Sequence, residues 1–274
     1  WFEQGYQAQI RRDYNTAIQA YGQAIILNPL FARAYVNRGN AYQLQGKYDL
    51  AVKDYERAID LEPQDANAYY NRSVCQAGQG QFDQAIADAT QALGLRNDLA
   101  NAYNVRGYCY MMTDKLNEAI ADYSKAIQLQ PMNPDLYTNR GNVYQEQGET
   151  DAAIADYTYA LAINHGHFYS YINWGNAYLK KGLPDAAIAD YNQALTMEPR
   201  NITAYSGRAQ AYRVKGMPGA AVADYNRALT YQPKNTYLWY SKGEACLEAK
   251  RIEEAVAAFQ TVLNQAGGND GYAE

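Results

Sequence analysis

The residues best suited to chemistry near neutral pH are the two histidines, because an imidazole can serve as general base or metal ligand there. His165 and His167 stand one residue apart, with Gly166 between them. Two imidazoles in a loop fall short of the three or four ligands that a zinc site wants. His165 also holds a position where other stretches of the chain carry a helix-ending proline, which marks it as a turn residue. Cys75, Cys109 and Cys246 are scattered, and none lies in a C-x-x-C pair. They read as small buried hydrophobes rather than as a disulfide framework or a metal site. No serine sits in a G-x-S-x-G elbow, and no glycine-rich phosphate loop occurs. The sequence therefore predicts no catalytic residue, no cofactor and no metal.

Composition narrows the remaining classes. A formal charge of -5 and a pI near 5.2, with no Lys/Arg cluster, argue against a nucleic-acid partner, whose phosphates are met by basic stripes. No apolar run approaches the roughly 18 residues of a membrane span, and no signal-peptide pattern opens the chain. The expectation is no membrane insertion, with a cytoplasmic location favoured. The chain begins without Met, inside a periodic pattern, so a fragment of a larger protein is part of that expectation.

The elements that would position any site follow from one bias: 28 Tyr against 5 Phe and 3 Trp. AYVNRGNAYQLQGKYDLAVKDYERAIDLEP (Ala34 to Pro63) returns as LYTNRGNVYQEQGETDAAIADYTYALAINH (Leu136 to His165) and as SYINWGNAYLKKGLPDAAIADYNQALTMEP (Ser170 to Pro199). The spacing is always a multiple of 34. With the glycine-like position numbered eight, slot four is aromatic in eight copies, from Trp1 and Tyr35 to Trp239. Slot twenty is alanine in all, and slot eight is small: Gly5, Gly39, Ser73, Gly107, Gly141, Gly175, Ala209 and Gly243. Each copy carries two amphipathic stretches. They are separated by a breaker such as Gly46, Gly80, Gly148, Gly182 or Gly216, suited to the left-handed conformation that ends a helix.

This pattern resembles the tetratricopeptide repeat family across nearly the whole chain. The resemblance implies an all-α fold, a right-handed superhelical α-solenoid of helix-turn-helix repeats with first helices on the concave side. One solenoid domain over 1–264 is expected, in repeats 1–31, 32–65, 66–99, 100–133, 134–167, 168–201, 202–235 and 236–264, followed by a flexible C-terminal tail at 265–274. Polar caps are expected at array ends, so Phe259 and Val262 are expected to be exposed, or covered by another copy or by residues outside this chain.

Slot seven, usually leucine in the family, is Arg38, Arg72, Arg106, Arg140 and Arg208. Slot twenty-three is Asp54, Asp88, Asp122, Asp156 and Asp224 in the same copies. The sixth copy breaks the rule, with Trp174 beside Asp190. Arg and Asp are expected to pair across a helix seam, within a repeat or between neighbours, the alternative being solvated surface charges.

The resemblance also implies a function: a non-catalytic scaffold that binds a protein or extended peptide in the concave groove. Slots two, five, six, nine, twelve and thirteen would face it. Carried onto this chain, the candidates are Asn37, Asn40, Tyr70, Asn71, Asn104, Tyr108, Asn139, Asn142, Tyr169, Asn173, Asn176, Arg213 and Tyr240, with Val36, Thr138 and Ile172 at slot five. The asparagines at slots six and nine resemble the ladder in the repeat domain of O-GlcNAc transferase, where an amide pairs with peptide backbone. Alternatively they bond neighbouring helices or water. The clamp that grips chaperone carboxylates is absent, since slot five has no Lys and slot six no Arg. Two further readings stay open: a substrate-recruiting domain of a larger enzyme, and a self-assembling scaffold, a homo-oligomer through the array ends or the groove.

Overall fold

A computed structural model describes residues 1–267, and among them there is helix and no strand. The helices fall into two compact units, Trp1–Met132 and Asn133–Glu274. The first holds α1 (Phe2–Ile10), α2 (Tyr14–Leu27), α3 (Ala32–Leu44), α4 (Tyr48–Leu61), α5 (Ala66–Gly78), α6 (Phe82–Leu95), α7 (Ala100–Met112) and α8 (Leu116–Leu129). The second holds α9 (Pro134–Gln147), α10 (Thr150–Ile163), α11 (Phe168–Lys180), α12 (Pro184–Met197), α13 (Ile202–Val214), α14 (Pro218–Tyr231), α15 (Thr236–Glu248) and α16 (Ile252–Gly267).

Each repeat is one odd-numbered and one even-numbered helix, and in each unit every even helix packs on the odd helix that follows it. This is the stacking expected of helix pairs that cannot bury their apolar faces alone. The breaker glycines adopt positive φ, from Gly46 at 71° to Gly148 at 83°. Where the glycine is missing, Arg12, Asp114 and Lys250 take the same left-handed turn.

The core is built from alanine and tyrosine. Tyr21, Tyr55, Tyr123, Tyr157, Tyr191 and Tyr225, all at slot twenty-four, are fully buried. Their rings lie against the small residue at slot eight: a Cβ on Gly39 would stand 2.7 Å from Tyr55, and one on Gly141 2.6 Å from Tyr157. Repeat three shows the reciprocal arrangement, since Ser73 is tolerated where slot twenty-four is Ala89. We expect Gly39→Ala or Gly141→Ala to cost about 1–3 kcal/mol through overpacking, read as a lower urea midpoint at unchanged slope.

The Arg and Asp side chains meet within each repeat, as two-pronged pairs across the odd–even seam. Arg38 reaches Asp54 at 2.8 and 2.7 Å, Arg72 reaches Asp88 at 2.6 and 2.7 Å, and Arg106 reaches Asp122 at 2.7 and 2.8 Å. Arg140 lies 2.8 Å from Asp156 through both contacts, and Arg208 lies 2.7 Å from Asp224 through both. These aspartates are only 3–7% exposed. Each guanidinium also faces the slot-four ring of its own helix at 5.5–6.0 Å, as Arg38 does Tyr35 and Arg208 does Tyr205. The slot-four tyrosines thus flank the ion pairs as well as filling space.

The sixth repeat is different. Trp174 stacks on Tyr178, ring centroids 5.6 Å apart, and packs on Ala153, Tyr157 and Ala177. Asp190 is buried with its Oδ2 unpartnered, as is Trp174 Nε1. Burial pushes the Asp190 carboxyl up to about 7.

Two expectations at the C-terminal end change. Helix α16 runs on to Gly267, into the segment expected as a flexible tail, because Gln265 and Ala266 are sound helix formers and Gly267 is the first breaker; residues 268–274 lie outside the described residues. Phe259 and Val262 are half-buried, Phe259 lying over Gly243 and edge-on to Tyr240. The exposed apolar residues of α16 are Ile252, Val256 and Leu263.

Candidate functional site

Among the described residues no group of His, Cys, Asp and Glu is placed to hold a metal ion. The three cysteines are free and buried. Burial pushes the Cys75 thiol up to about 12 and that of Cys109 to about 11, so the reactive thiolate is suppressed.

The histidines separate. His165 is exposed in the turn, as expected of a turn residue. His167, at the N-cap of α11, places Nε2 2.9 Å from Asp135 Oδ1 and Nδ1 2.6 Å from Ser170 Oγ. This is the contact order of a catalytic triad, but Ser170 is wholly buried and its Oγ lies 2.7 Å from Thr138 Oγ1. A substrate carbonyl has no approach to it. The sequence pattern misses this network because its members come from two repeats.

The odd helices form one face in each unit: α3 meets α1 and α5, α5 meets α7, and α11 meets α9 and α13. Slots six and nine of neighbouring odd helices meet there. Asn71 Nδ2 donates to Asn40 Oδ1 at 3.0 Å, and Asn173 Nδ2 donates to Asn142 Oδ1 at 2.8 Å. From below, the buried slot-twenty-four hydroxyls reach the same carbonyls: Tyr55 to Asn40 at 2.7 Å and Tyr157 to Asn142 at 2.9 Å. Tyr191 likewise reaches Asn176 Oδ1 at 2.5 Å. The asparagines therefore do bond neighbouring helices. What remains without a protein partner is the Nδ2 of Asn40 and Asn142 and the Oδ1 of Asn71 and Asn173, one donor group and one acceptor per pair. A signal for this was present in the sequence: slot nine carries an amide (Asn40, Asn142, Asn176, Gln210) only where slot twenty-four is Tyr. It is Val74 opposite Ala89 and Glu244 opposite Phe259.

Cavities open on these faces. In the first unit one of ≈ 690 Å³ is lined by Arg33, Val36, Asn37, Asn40, Tyr70 and Asn71, with Asn67 and Asp65 at its edge. In the second unit one of ≈ 560 Å³ takes the same slots in repeats six to eight: Asn176, Thr203, Ser206, Gly207, Gln210 and Tyr237. Another, of ≈ 500 Å³, lies between Leu179, Gln210, Arg213, Val214 and Glu248. Arg213 is not free to grip a ligand carboxylate. Its guanidinium lies 3.0 Å from Glu244 and 2.6 Å from Glu248, and it holds the Glu248 carboxyl below the usual range.

Of the other expected residues, Asn104 and Asn139 are half-buried on α7 and α9. Tyr108, Tyr169 and Tyr240 are exposed, each edge-on to another ring of the chain: Phe82, Phe168 and Phe259 respectively. Thr138 and Ile172 are buried and offer a ligand nothing. Thr138 is tied to Ser170 across the α9–α11 contact and Ile172 packs with the α12–α13 core, so these two candidates are withdrawn.

Comparison with known proteins places these features. Models of the TPR repeat match residues 11–46 and 110–148, and models of the tetratricopeptide repeat match 32–65, 134–167 and 168–201, 208–270 and 54–87. Three of these spans coincide with repeat boundaries read from the sequence. No curated protein matches the chain. Among solved structures, one described as the APC/C hetero-tetramer Cut9–Hcn1 is similar with a TM-score of 0.71 at 22% identity, over 85% of this chain and 46% of that chain. The present chain thus spans less than half of that one. A tetratricopeptide repeat protein from Parabacteroides merdae ATCC 43184 gives a TM-score of 0.69 at 20% identity, over 89% and 94% of the two chains. YrrB, described as a TPR protein with an unusual peptide-binding site, gives 0.56 at 22%, over 73% and 99%. At these identities the likeness is one of fold.

Proposed function

The chain belongs to the tetratricopeptide repeat family, and from that premise we propose that it is a non-catalytic scaffold that takes an extended peptide segment of a partner protein along its odd-helix faces. The observation that carries this reading is the pair of preset amide groups. In Asn40–Asn71 and Asn142–Asn173, tyrosine below and amide beside fix the orientation of each side chain. A peptide group offers one N–H and one C=O, and each pair presents an acceptor and a donor to match them. Orientation settled before binding removes an entropic cost of ordering. Because the amides read main chain, sequence preference falls to the cavities and exposed rings beside them, Tyr70, Tyr108, Tyr169 and Tyr240 among them.

The test uses substitutions that spare the scaffold. Asn40→Asp and Asn142→Asp keep the oxygen that accepts from Tyr55 or Tyr157 and from the neighbouring Asn, and replace the outward donor with a charged acceptor. Peptides selected from a random display library against the intact protein should bind each variant roughly 10-fold more weakly, about the worth of one hydrogen bond, by calorimetry. Helix content and urea midpoint should be unchanged. Selected peptides that bind the double variant as tightly as the parent protein would sink the reading.

A further inference from the structure

One feature of the second unit, at the sixth repeat, responds to protons. It is Asp190, which keeps the buried place of its five counterparts without their arginine.

Trp174 fills that place from α11 and offers no charge. The cations of α11 and α13, with those at their C-caps, are engaged elsewhere. Lys180 donates to the Gln145 carbonyl, Lys181 pairs with Asp151, and Lys215 pairs with Asp185. Arg213 holds Glu244 and Glu248. Arg208 spends itself on Asp224 and on Asn192 of α12. On α12 itself, the neighbouring Tyr191 turns its hydroxyl to Asn176.

We propose that the sixth repeat is a proton-responsive joint: a proton on Asp190 removes an unpaired buried charge from the α11–α12 seam, so that mild acid tightens this part of the second unit. The folded state takes up protons that the unfolded chain would not hold, so stability there rises as pH falls. For Asp190 the window is set by burial, which raises its carboxyl to about 7 against about 3.9 in an unfolded chain; the gain appears below 7 and levels off as pH nears 4. Any link from this joint to partner binding rests on the function proposed above, whereas the joint itself is read without a partner.

The experiment is hydrogen exchange on the intact protein at pH 8.0 and pH 5.5, corrected for intrinsic exchange rates. Amides of α11 and α12 should gain protection on the order of tenfold at the lower pH, while α5 and α6, whose Asp88 has its Arg72, should not. The isosteric Asp190→Asn should protect α11 and α12 at both pH values and abolish the pH dependence there. Equal pH response in α5–α6 and α11–α12 of the parent protein would overturn the proposal, as would a full response surviving in Asp190→Asn.

Discussion

Arg38→Met should destabilise α3 and α4 by about 3–5 kcal/mol, the range for stranding one member of a buried pair. The loss is large because Asp54 is 5% exposed and receives both its hydrogen bonds from Arg38. Methionine fills the stem of the arginine, so packing against Tyr35 and Tyr42 is largely kept and the uncompensated carboxylate dominates. Replacing the partner instead should cost less. In Asp54→Asn the stranded group is a guanidinium whose side chain is 23% exposed and can hydrate. The double substitution Arg38→Met with Asp54→Leu removes both charges and should return to within about 1–2 kcal/mol of the parent, since apolar replacement of a buried pair is often neutral. Stability in a repeat array is a sum of local and neighbour terms, so the change is best read by native-state exchange on α3–α4 together with urea unfolding. A single-variant loss below about 1 kcal/mol would place these pairs with solvated surface bridges.

That pairing could be anticipated from the chain alone because slots seven and twenty-three are occupied in step: five copies have both members, and the end copies have neither. What the spacing left open was whether the partner lay in the same repeat or the next, since both distances are compatible with stacked hairpins. The helix pairs, turns and small-residue slots were legible for the same reason, as each depends on local periodicity and size. The odd-helix face was legible by position and not by accessibility. Thr138 and Ile172 fall on groove slots and are buried, because side-chain direction at a helix–helix contact depends on what the neighbour presents. Arg213 was marked as a ligand contact, yet two glutamates one repeat on already hold it. His167 escaped notice because its partners, Asp135, Thr138 and Ser170, occupy slots with no recurring chemistry. A network made once leaves no period to find.

Trp174→Arg should turn the exceptional repeat into an ordinary one and raise the stability of α11 and α12 at pH 8 by about 2–3 kcal/mol, the scale for relieving an unpaired buried charge. The place is prepared: Asp190 stands sixteen residues on, as in the five paired repeats, and Tyr171 and Tyr178 occupy the slots whose rings flank the other guanidinium groups. Removing the indole also removes a buried N–H that has no acceptor. Against this stands lost packing on Ala153, Tyr157 and Ala177, a cost that does not vary with pH. The two terms therefore separate along the pH axis. At pH 8 the parent carries the charge and the variant should be the more stable. Toward pH 5 the parent carboxyl is neutral, the pair loses its advantage, and the packing loss should bring the variant level with the parent or below it. Exchange measured on α11–α12 at four pH values from 8 to 5 distinguishes this from a general improvement in packing. A gain of equal size at both ends would mean that the unpaired carboxylate is not what sets this repeat apart.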